Sequence, residues 1–178
     1  ISFDRFWDIC GNKLVLESQI LTCLTLPEFP ERKKDFESDC LVPFSFFHGM
    51  RHYRYGWIGC GLSYKLMMKI AKKQNMKYAI ICEDDVEFLD DFIDKYNEII
   101  KNIKDGSMEW DIVSGFMSDI AKDVNIKRTI ELNDQQIIVI NKMISMVFNF
   151  YNESVYDLFE KWNETNYDAI NNTIDRYI

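Results

Sequence analysis

The chain has 178 residues, of which 47% are hydrophobic and 15% aromatic, so it can bury one substantial core. Its formal net charge of −8 argues against a nucleic-acid groove as the main function, and no apolar run approaches the length of a membrane span. No signal-peptide pattern opens the sequence. Five cysteines without a Cys-x-x-Cys pair indicate structural thiols in a reducing compartment, so we expect a cytoplasmic protein.

The first half of the sequence alternates short apolar runs with helical patterns. Residues 1–18 carry little periodicity and are treated as an N-terminal appendage of unclear role. Strands are predicted over residues 19–25, 41–47 and 78–82, because these runs are continuous, apolar and short. Helices are predicted over residues 31–38, with Pro30 near the first turn, and over 58–74, where apolar residues recur every three or four positions.

The second half begins with the clearest helix pattern, an apolar stripe from Phe88 to Lys104 that ends before Gly106. Further predictions are a strand over residues 110–114, a hairpin of 127–131 and 136–140 around Asn133-Asp134, a strand over 143–148, and a helix over 154–162 capped by Ser154. This order of elements predicts an α/β fold with a largely parallel sheet, to which the late hairpin adds strands of mixed direction.

Glu83, Asp84 and Asp85 follow the predicted strand 78–82 directly. The carboxyl ends of strands are where open α/β sheets bind ligands. Clustered carboxylates repel one another unless a cation joins them, and a hard divalent metal that bridges them to a diphosphate is the simplest such cation. The alternative is a solvated acidic loop that caps the next helix. The triplet alone leaves both interpretations open.

Four segments in order and at the expected spacing resemble the family 25 glycosyltransferases: LTLPEFPERKKDF, PFSFFHGM, GWIGCGLSYKLMMKIAKK and YAIICEDDVEF. The resemblance is strong over about residues 19–92, and it continues weakly through 110–113 to 174–178. It implies a GT-A-like, Rossmann-type sandwich with a mainly parallel sheet and helices on both faces. It also implies a glycosyltransferase domain over 19–178, truncated at its C-terminus.

The function implied by the resemblance is transfer of a hexose, galactose or glucose, from a UDP-sugar, with inversion and with help from Mn²⁺ or Mg²⁺. The acceptor would be a glycan, glycolipid or glycoprotein, as in lipopolysaccharide biosynthesis. No nucleic acid and no transmembrane segment are expected, and the chain would work in the cytoplasm, with peripheral contact at the inner face of a membrane.

The resemblance also suggests roles for particular residues. Asp85 and Glu83 would bind the metal, while Leu26, Arg32, Ser63 and Glu83 would bind the donor. Asp84 and Asp175 would be catalytic, with Asp175 as the acceptor base and with Asp111 and Asp119 as alternatives to it.

The features behind two of these roles have simpler explanations. Gly59 and Ser63 are expected at the start of a helix, where backbone donors face an anion, although close packing explains Gly59 equally well. Arg32 is either a phosphate ligand or an ordinary solvated arginine.

Two departures from the family pattern bear on activity. Tyr64 stands where the family commonly has His after Ser63, and residues 143–150 lack a later family His. They favour a second interpretation, a nucleotide-sugar-binding or interaction module that has lost turnover. Phosphoryl transfer of the haloacid-dehalogenase type would need Asp-x-Asp-x-Thr, and residues 83–87 lack the Thr.

Overall fold

The computed structural model describes residues 1–116, 119, 123–132 and 135–178. The helices are α1 (Phe3–Ile9), α2 (Pro30–Asp39), α3 (Gly56–Lys73), α4 (Phe92–Asp105), α5 (Tyr156–Lys161) and α6 (Ile174–Tyr177), with 3-10 turns at Gly11–Lys13 and Glu153–Val155. The strands are β1 (Leu21–Thr25), β2 (Phe44–His48), β3 (Tyr78–Glu83), β4 (Ile112–Ser114), β5 (Ile126–Leu132), β6 (Gln135–Ile140) and β7 (Phe148–Asn152).

Five strands form one open sheet in the order β2-β1-β3-β7-β4. The first three strands are parallel, with Leu24 opposite Phe47 on one side and Glu83 on the other. Strand β7 runs antiparallel to both of its neighbours. The predicted α/β fold with a mainly parallel sheet is confirmed, and the carboxyl ends of β1, β2 and β3 meet at one edge.

The side chains of β3 belong alternately to two separate hydrophobic cores, because successive strand residues point to opposite faces of the sheet. Ala79 and Ile81 pack with residues of α1, α3, α5 and α6. Ile80 and Cys82 pack with residues of α2 and α4 on the other face. Helices therefore cover both faces, as the Rossmann-type prediction requires.

The predicted strand over 143–148 is wrong, because the strand here is β7, which begins at Phe148. Both faces of β7 are buried, and its residue Asn149 is fully buried although it is polar. Asn149 therefore interrupts the apolar pattern that would have indicated this strand. The helix predicted from Phe88 begins only at Phe92. Phe88 continued the helical periodicity because its ring packs against Phe36 and Phe92, at centroid distances of 5.5 and 4.5 Å.

Two predicted termini also differ from the structure. Strand β2 begins at Phe44, after Pro43, and Leu41 is exposed. Ser154 does not cap a helix: the Asn152 side chain accepts the Ser154 N–H, while the Ser154 hydroxyl donates to Asp111 at 2.6 Å.

The predicted hairpin is confirmed by the antiparallel pairing of β5 and β6, with Thr129 opposite Ile138. Its expected turn at Asn133-Asp134 lies outside the described residues. Before β1, buried Phe3 and Leu16 join the core on the α3 face of the sheet. Among the described residues, no helix combines the length and the apolar character that crossing a membrane requires.

Candidate functional site

An open cleft of about 410 Å³ lies at the carboxyl edge of β1, β2 and β3, a volume in the range of small-molecule sites. One wall is the segment after β1 with Arg32 of α2, and the other is the loop after β2 with the start of α3. The acidic triplet forms the floor. The lining residues are Leu24, Thr25, Leu26, Phe29, Arg32, Gly49, Met50, Arg51, His52, Gly56, Gly59, Cys60, Ser63, Glu83, Asp84 and Asp85.

Arg32 bridges two of the three carboxylates. Its Nη1 contacts Asp84 Oδ1 at 3.1 Å and its Nη2 contacts Asp85 Oδ2 at 2.5 Å. Asp84 is buried, and its other oxygen accepts the Thr25 hydroxyl proton at 2.8 Å. The Arg32 and Asp85 side chains are 44% and 46% exposed, so a ligand in the cleft can reach their contact. Asp84 is thus fixed in place, whereas Asp85 is available for exchange.

Glu83 is half-buried, and none of the ion pairs found in the described part of the chain includes it. Burial raises the pKa of Glu83, and the negative charge of Asp85 raises it further, with smaller contributions from Asp84 and Asp175. Its Oε1 lies 3.7 Å from Cys60 Sγ, which donates to it. Burial also raises the pKa of the Cys60 thiol, so this contact is between a neutral thiol and a carboxylate. Glu83 is therefore a carboxylate without a compensating cation.

The described residues include no group of three or more His, Cys, Asp or Glu side chains arranged to hold a metal ion. A metal cage made entirely of protein is therefore absent from that part of the chain. Mg²⁺, however, usually binds through one or two carboxylates together with substrate phosphates. Glu83 and Asp85 offer only oxygen donors, and Glu83 lacks a cation, so they fit a hard divalent ion that a diphosphate helps to hold.

Ser63 lines the cleft, but it is not at a helix start. Helix α3 begins at Gly56, so Ser63 lies two turns inside it and its backbone N–H does not face an anion. The expectation of a helix-terminal donor at Ser63 is wrong. Its buried hydroxyl donates to Gly59 O and accepts the Met50 N–H, both at 2.7 Å. Ser63 therefore fastens the loop after β2 to α3.

Gly59 allows the same loop to approach α3 closely. A Cβ atom at this position would lie 2.8 Å from the backbone oxygen of Met50 and 3.1 Å from the backbone nitrogen of His52. Real side chains do not tolerate the shorter of these contacts. Close packing, the alternative explanation given for Gly59, thus describes its environment in the structure.

The candidate acceptor bases lie in different places. Asp175 is half-buried on α6 and close enough to Glu83 for its charge to raise the pKa of Glu83. Asp119 is exposed and forms a backbone bridge with Ile144, in the segment that leads into β7 at the cleft edge. Asp111 neighbours Asn152, which pairs with Tyr78 at the other end of β3, roughly 16 Å from Glu83 along the strand. Position therefore favours Asp175 or Asp119 over Asp111.

Tyr64, which replaces the family His, is fully buried in the core. Its hydroxyl donates to the Met146 carbonyl at 2.8 Å and so anchors the segment before β7. The backbone of that segment accepts the Glu83 N–H through Val147 O at 2.9 Å. Tyr64 consequently helps to position Glu83 without entering the cleft.

Thr25, Phe29 and His52 are among the cleft-lining residues that the sequence did not indicate. Thr25 is adjacent to Asp84 because β1 and β3 are in parallel register, a pairing that the sequence does not encode locally. Phe29 is 46% exposed, and its ring lies 5.3 Å from the Arg32 guanidinium carbon. His52 turns its Nδ1 toward the Tyr55 N–H at 3.2 Å. An aromatic residue in a Pro-flanked turn after a strand is the signal that could have identified Phe29.

An open α/β sheet with an acidic cleft at its carboxyl edge defines a class of ligand-binding enzyme folds. The family model for glycosyltransferase family 25 (LPS biosynthesis protein) matches residues 41–167, well over half of the chain. The chain belongs to this family, and it is a glycosyltransferase. No curated protein matches it significantly. The matched range includes the triplet and Ser63 but not Leu26, Arg32 or Asp175, so the match does not bear on the roles expected of these three residues.

Proposed function

We propose that the protein transfers a hexose from a UDP-sugar to a glycan or glycolipid acceptor, with Mn²⁺ or Mg²⁺ as cofactor and with inversion at the sugar. The observation that carries this proposal is the cleft itself. It brings Glu83, Asp84, Asp85 and Arg32 together at the carboxyl edge of a parallel sheet. Leu26 and Phe29 offer apolar surface for the nucleoside on the wall next to Arg32.

Loss of the nucleotide leaves negative charge on the departing diphosphate, and catalysis requires groups already placed to stabilise that charge. Arg32 can provide one such group, because guanidinium binds phosphate and carboxylate oxygens in the same two-pronged way. Its contact with buried Asp84 holds it at the cleft, while its exposed contact with Asp85 can be exchanged for a phosphate oxygen. Asp84 therefore acts on the reaction by orienting Arg32.

Exchange of that contact frees Asp85, and Asp85 and Glu83 would then hold the divalent ion. When bound, the ion would neutralise charge on the leaving diphosphate. This assignment gives a reason for the unpaired Glu83, whose raised pKa reflects burial and carboxylate neighbours that a cation would offset. Inverting transfer further needs a base for the acceptor hydroxyl. Asp175 is our candidate and Asp119 the alternative.

The free state of all five cysteines, each of which lies in the described residues, supports a reducing compartment. We therefore place the enzyme in the cytoplasm, at the inner face of a membrane where glycolipid acceptors are assembled. Peripheral contact with that membrane would suffice for such acceptors.

A catalytically inactive donor-binding module is a second candidate, and the Arg32 bridge favours it. Arg32 already pairs with both Asp84 and Asp85 and offsets one of their two negative charges, so the cleft depends less on a metal. The two candidates predict different products. An active transferase releases UDP from UDP-galactose or UDP-glucose when Mn²⁺ and an acceptor are supplied, whereas a module only binds nucleotide.

The test is release of UDP by the wild type and by the Asp85→Ala and Glu87→Ala variants, with circular dichroism to check folding. Glu87 is an exposed acidic residue close by in sequence that does not line the cleft, so it provides the matched control. We expect Asp85→Ala to lose Mn²⁺-dependent release and Glu87→Ala to keep it. Full activity in folded Asp85→Ala would refute the metal assignment, and nucleotide binding without release in the wild type would favour the module.

A further inference from the structure

Aromatic rings from two distant parts of the sequence meet beside the cleft. His52 and Tyr55 stack with centroids 6.0 Å apart and an interplanar angle of 9°. Tyr167 packs against both, at 5.7 Å from Tyr55 and 6.1 Å from His52. Trp57 extends the stack behind Tyr55 at 6.2 Å. We call His52, Tyr55 and Tyr167 the aromatic platform.

The platform is exposed, and hydrogen bonds hold the loop that carries Tyr167. Tyr55 is 40% and Tyr167 52% exposed. Tyr167 lies in the loop between α5 and α6, whose ends Asn172 ties together through bonds of 2.8 Å from its amide to Asn163 O and Asn166 O. Buried Trp162 donates to Asn172 O at 2.9 Å and fixes this loop to the core. Exposed apolar surface held in place in this way is typical of a ligand site.

The position of the platform separates it from the predicted donor. His52 belongs to the cleft lining, whereas Tyr55 and Tyr167 do not. The apolar surface available to a nucleoside, Leu26 and Phe29, lies on the opposite wall, beside Arg32. A diphosphate at the acidic floor would therefore have its nucleoside on one side and the platform on the other.

The chemistry of the platform matches a sugar ring. A hexopyranose has an apolar face of C–H bonds, which packs on flat aromatic rings, and a rim of hydroxyls that needs polar partners. His52 Nδ1 accepts the backbone N–H groups of Arg54 and Tyr55, so neutral His52 carries its proton on Nε2, as a donor. Two exposed tyrosine rings tilted 53° to each other beside one such donor suit an amphipathic ring better than a phosphate or a metal.

We propose that the aromatic platform binds the terminal hexopyranose of the acceptor and presents one of its hydroxyls to the acidic floor of the cleft. The inference rests on the proposed transfer reaction, which requires an acceptor next to the donor. It adds the class of ligand and the residues that hold it: the exposed ring of Tyr167 stacks on the sugar, Tyr55 contacts the sugar with its exposed ring edge, and His52 donates to a hydroxyl.

The test is binding of the methyl glycosides of galactose, glucose and N-acetylglucosamine, measured by saturation-transfer NMR up to tens of millimolar. Tyr55→Leu and Tyr167→Leu remove a flat ring but keep apolar bulk, and Tyr167→Phe keeps the ring as a matched control. Each leucine variant should bind the preferred glycoside roughly five- to tenfold more weakly, and Tyr167→Phe should bind like the wild type. UDP binding, followed by thermal shift, should be unchanged in all three variants.

The outcomes separate this inference from the proposed function. If the wild type binds UDP but none of the glycosides, or if the leucine variants bind glycosides as the wild type does, the acceptor platform is refuted. A loss of UDP affinity in the leucine variants would assign the rings to the nucleobase and refute it as well. A further outcome is that the wild type binds glycosides but not UDP, with the leucine variants binding glycosides more weakly. In that case the platform stands and the UDP-sugar proposal fails.

Discussion

Replacement of Glu83 by Gln is expected to stabilise the folded protein at neutral pH while weakening the cleft's affinity for a divalent cation. Glu83 carries a charge that burial and Asp85 both disfavour, so the pKa of its carboxyl group is raised. Gln keeps the size of the side chain and can still accept the Cys60 thiol proton. The substitution therefore removes the charge with little change in packing.

The sign of the effect follows from the raised pKa. Below its ordinary value of 4.5, Glu83 is protonated in both the folded and the unfolded state, and its charge costs nothing. As the pH rises through the higher pKa of the folded state, ionisation destabilises the fold by about 1.4 kcal/mol for each unit that separates the two pKa values. In a chain of this length, about 1 kcal/mol corresponds to roughly 2–4 °C in melting temperature.

Thermal unfolding of the wild type and Glu83→Gln across pH 4 to 8, with a chelator present, measures this difference. We expect the variant to melt a few degrees higher than the wild type at pH 8, because the substitution removes one unfavourable charge. This difference in melting temperature should disappear toward pH 4, where Glu83 is protonated. Exposed Glu87→Gln is the control and should show no such gap. A Glu83→Gln variant that is equally or less stable at neutral pH would refute the claim that Glu83 lacks a compensating cation.

Three further substitutions test the cleft and its supports. Asp85→Asn should remove most of the stabilisation that UDP gives in the presence of Mn²⁺. In the wild type this stabilisation is about 2.7 kcal/mol at a UDP concentration near 100 times Kd, and a thermal-shift titration measures it. Gly61→Ala places a Cβ atom 2.6 Å from Cζ2 of buried Trp162 and should cost about 1–3 kcal/mol in denaturant unfolding, whereas Gly56→Ala, with open space around its Cβ, should be neutral. Tyr64→Phe leaves the buried Met146 carbonyl without its donor and should cost about 1–3 kcal/mol in the same assay; an unchanged midpoint would show that Tyr64 does not anchor this segment.

The elements that the sequence predicted well are those whose burial follows a single local pattern. Strand β3 is a continuous apolar run that feeds both cores, and the acidic triplet follows it immediately. Strand β7 was misplaced because Asn149 is buried on the α3 side of the sheet, where its amide donates to Ser145 O and to the Tyr151 hydroxyl. A buried polar residue of this kind, whose amide N–H groups are bonded by near neighbours in sequence, makes the strand look like a loop in the sequence pattern.

The contacts within the site were less predictable than its location. Arg32 and Asp84 are 52 residues apart, and they meet because parallel register places Thr25 and Asp84 side by side at the ends of β1 and β3. Helix α3 begins at Gly56, two residues before the predicted start at 58, so Ser63 lies further inside the helix than expected. Tyr167 meets Tyr55 only through the loop that Asn172 fixes. The contacts of Arg32 with Asp84 and of Tyr55 with Tyr167 therefore depend on residues that are far apart in the sequence.

The carboxylates of this cleft are proposed to hold a nucleotide diphosphate through a cation. The most direct test of this proposal is calorimetric titration of UDP, with and without Mn²⁺, into the wild type and into Asp85→Asn. We expect wild-type affinity between about 1 μM and 1 mM with Mn²⁺ and at least tenfold weaker binding with a chelator or in Asp85→Asn. Equal UDP affinity under all three conditions would contradict the assignment, because the diphosphate would then be bound without the cation that Glu83 and Asp85 are proposed to hold.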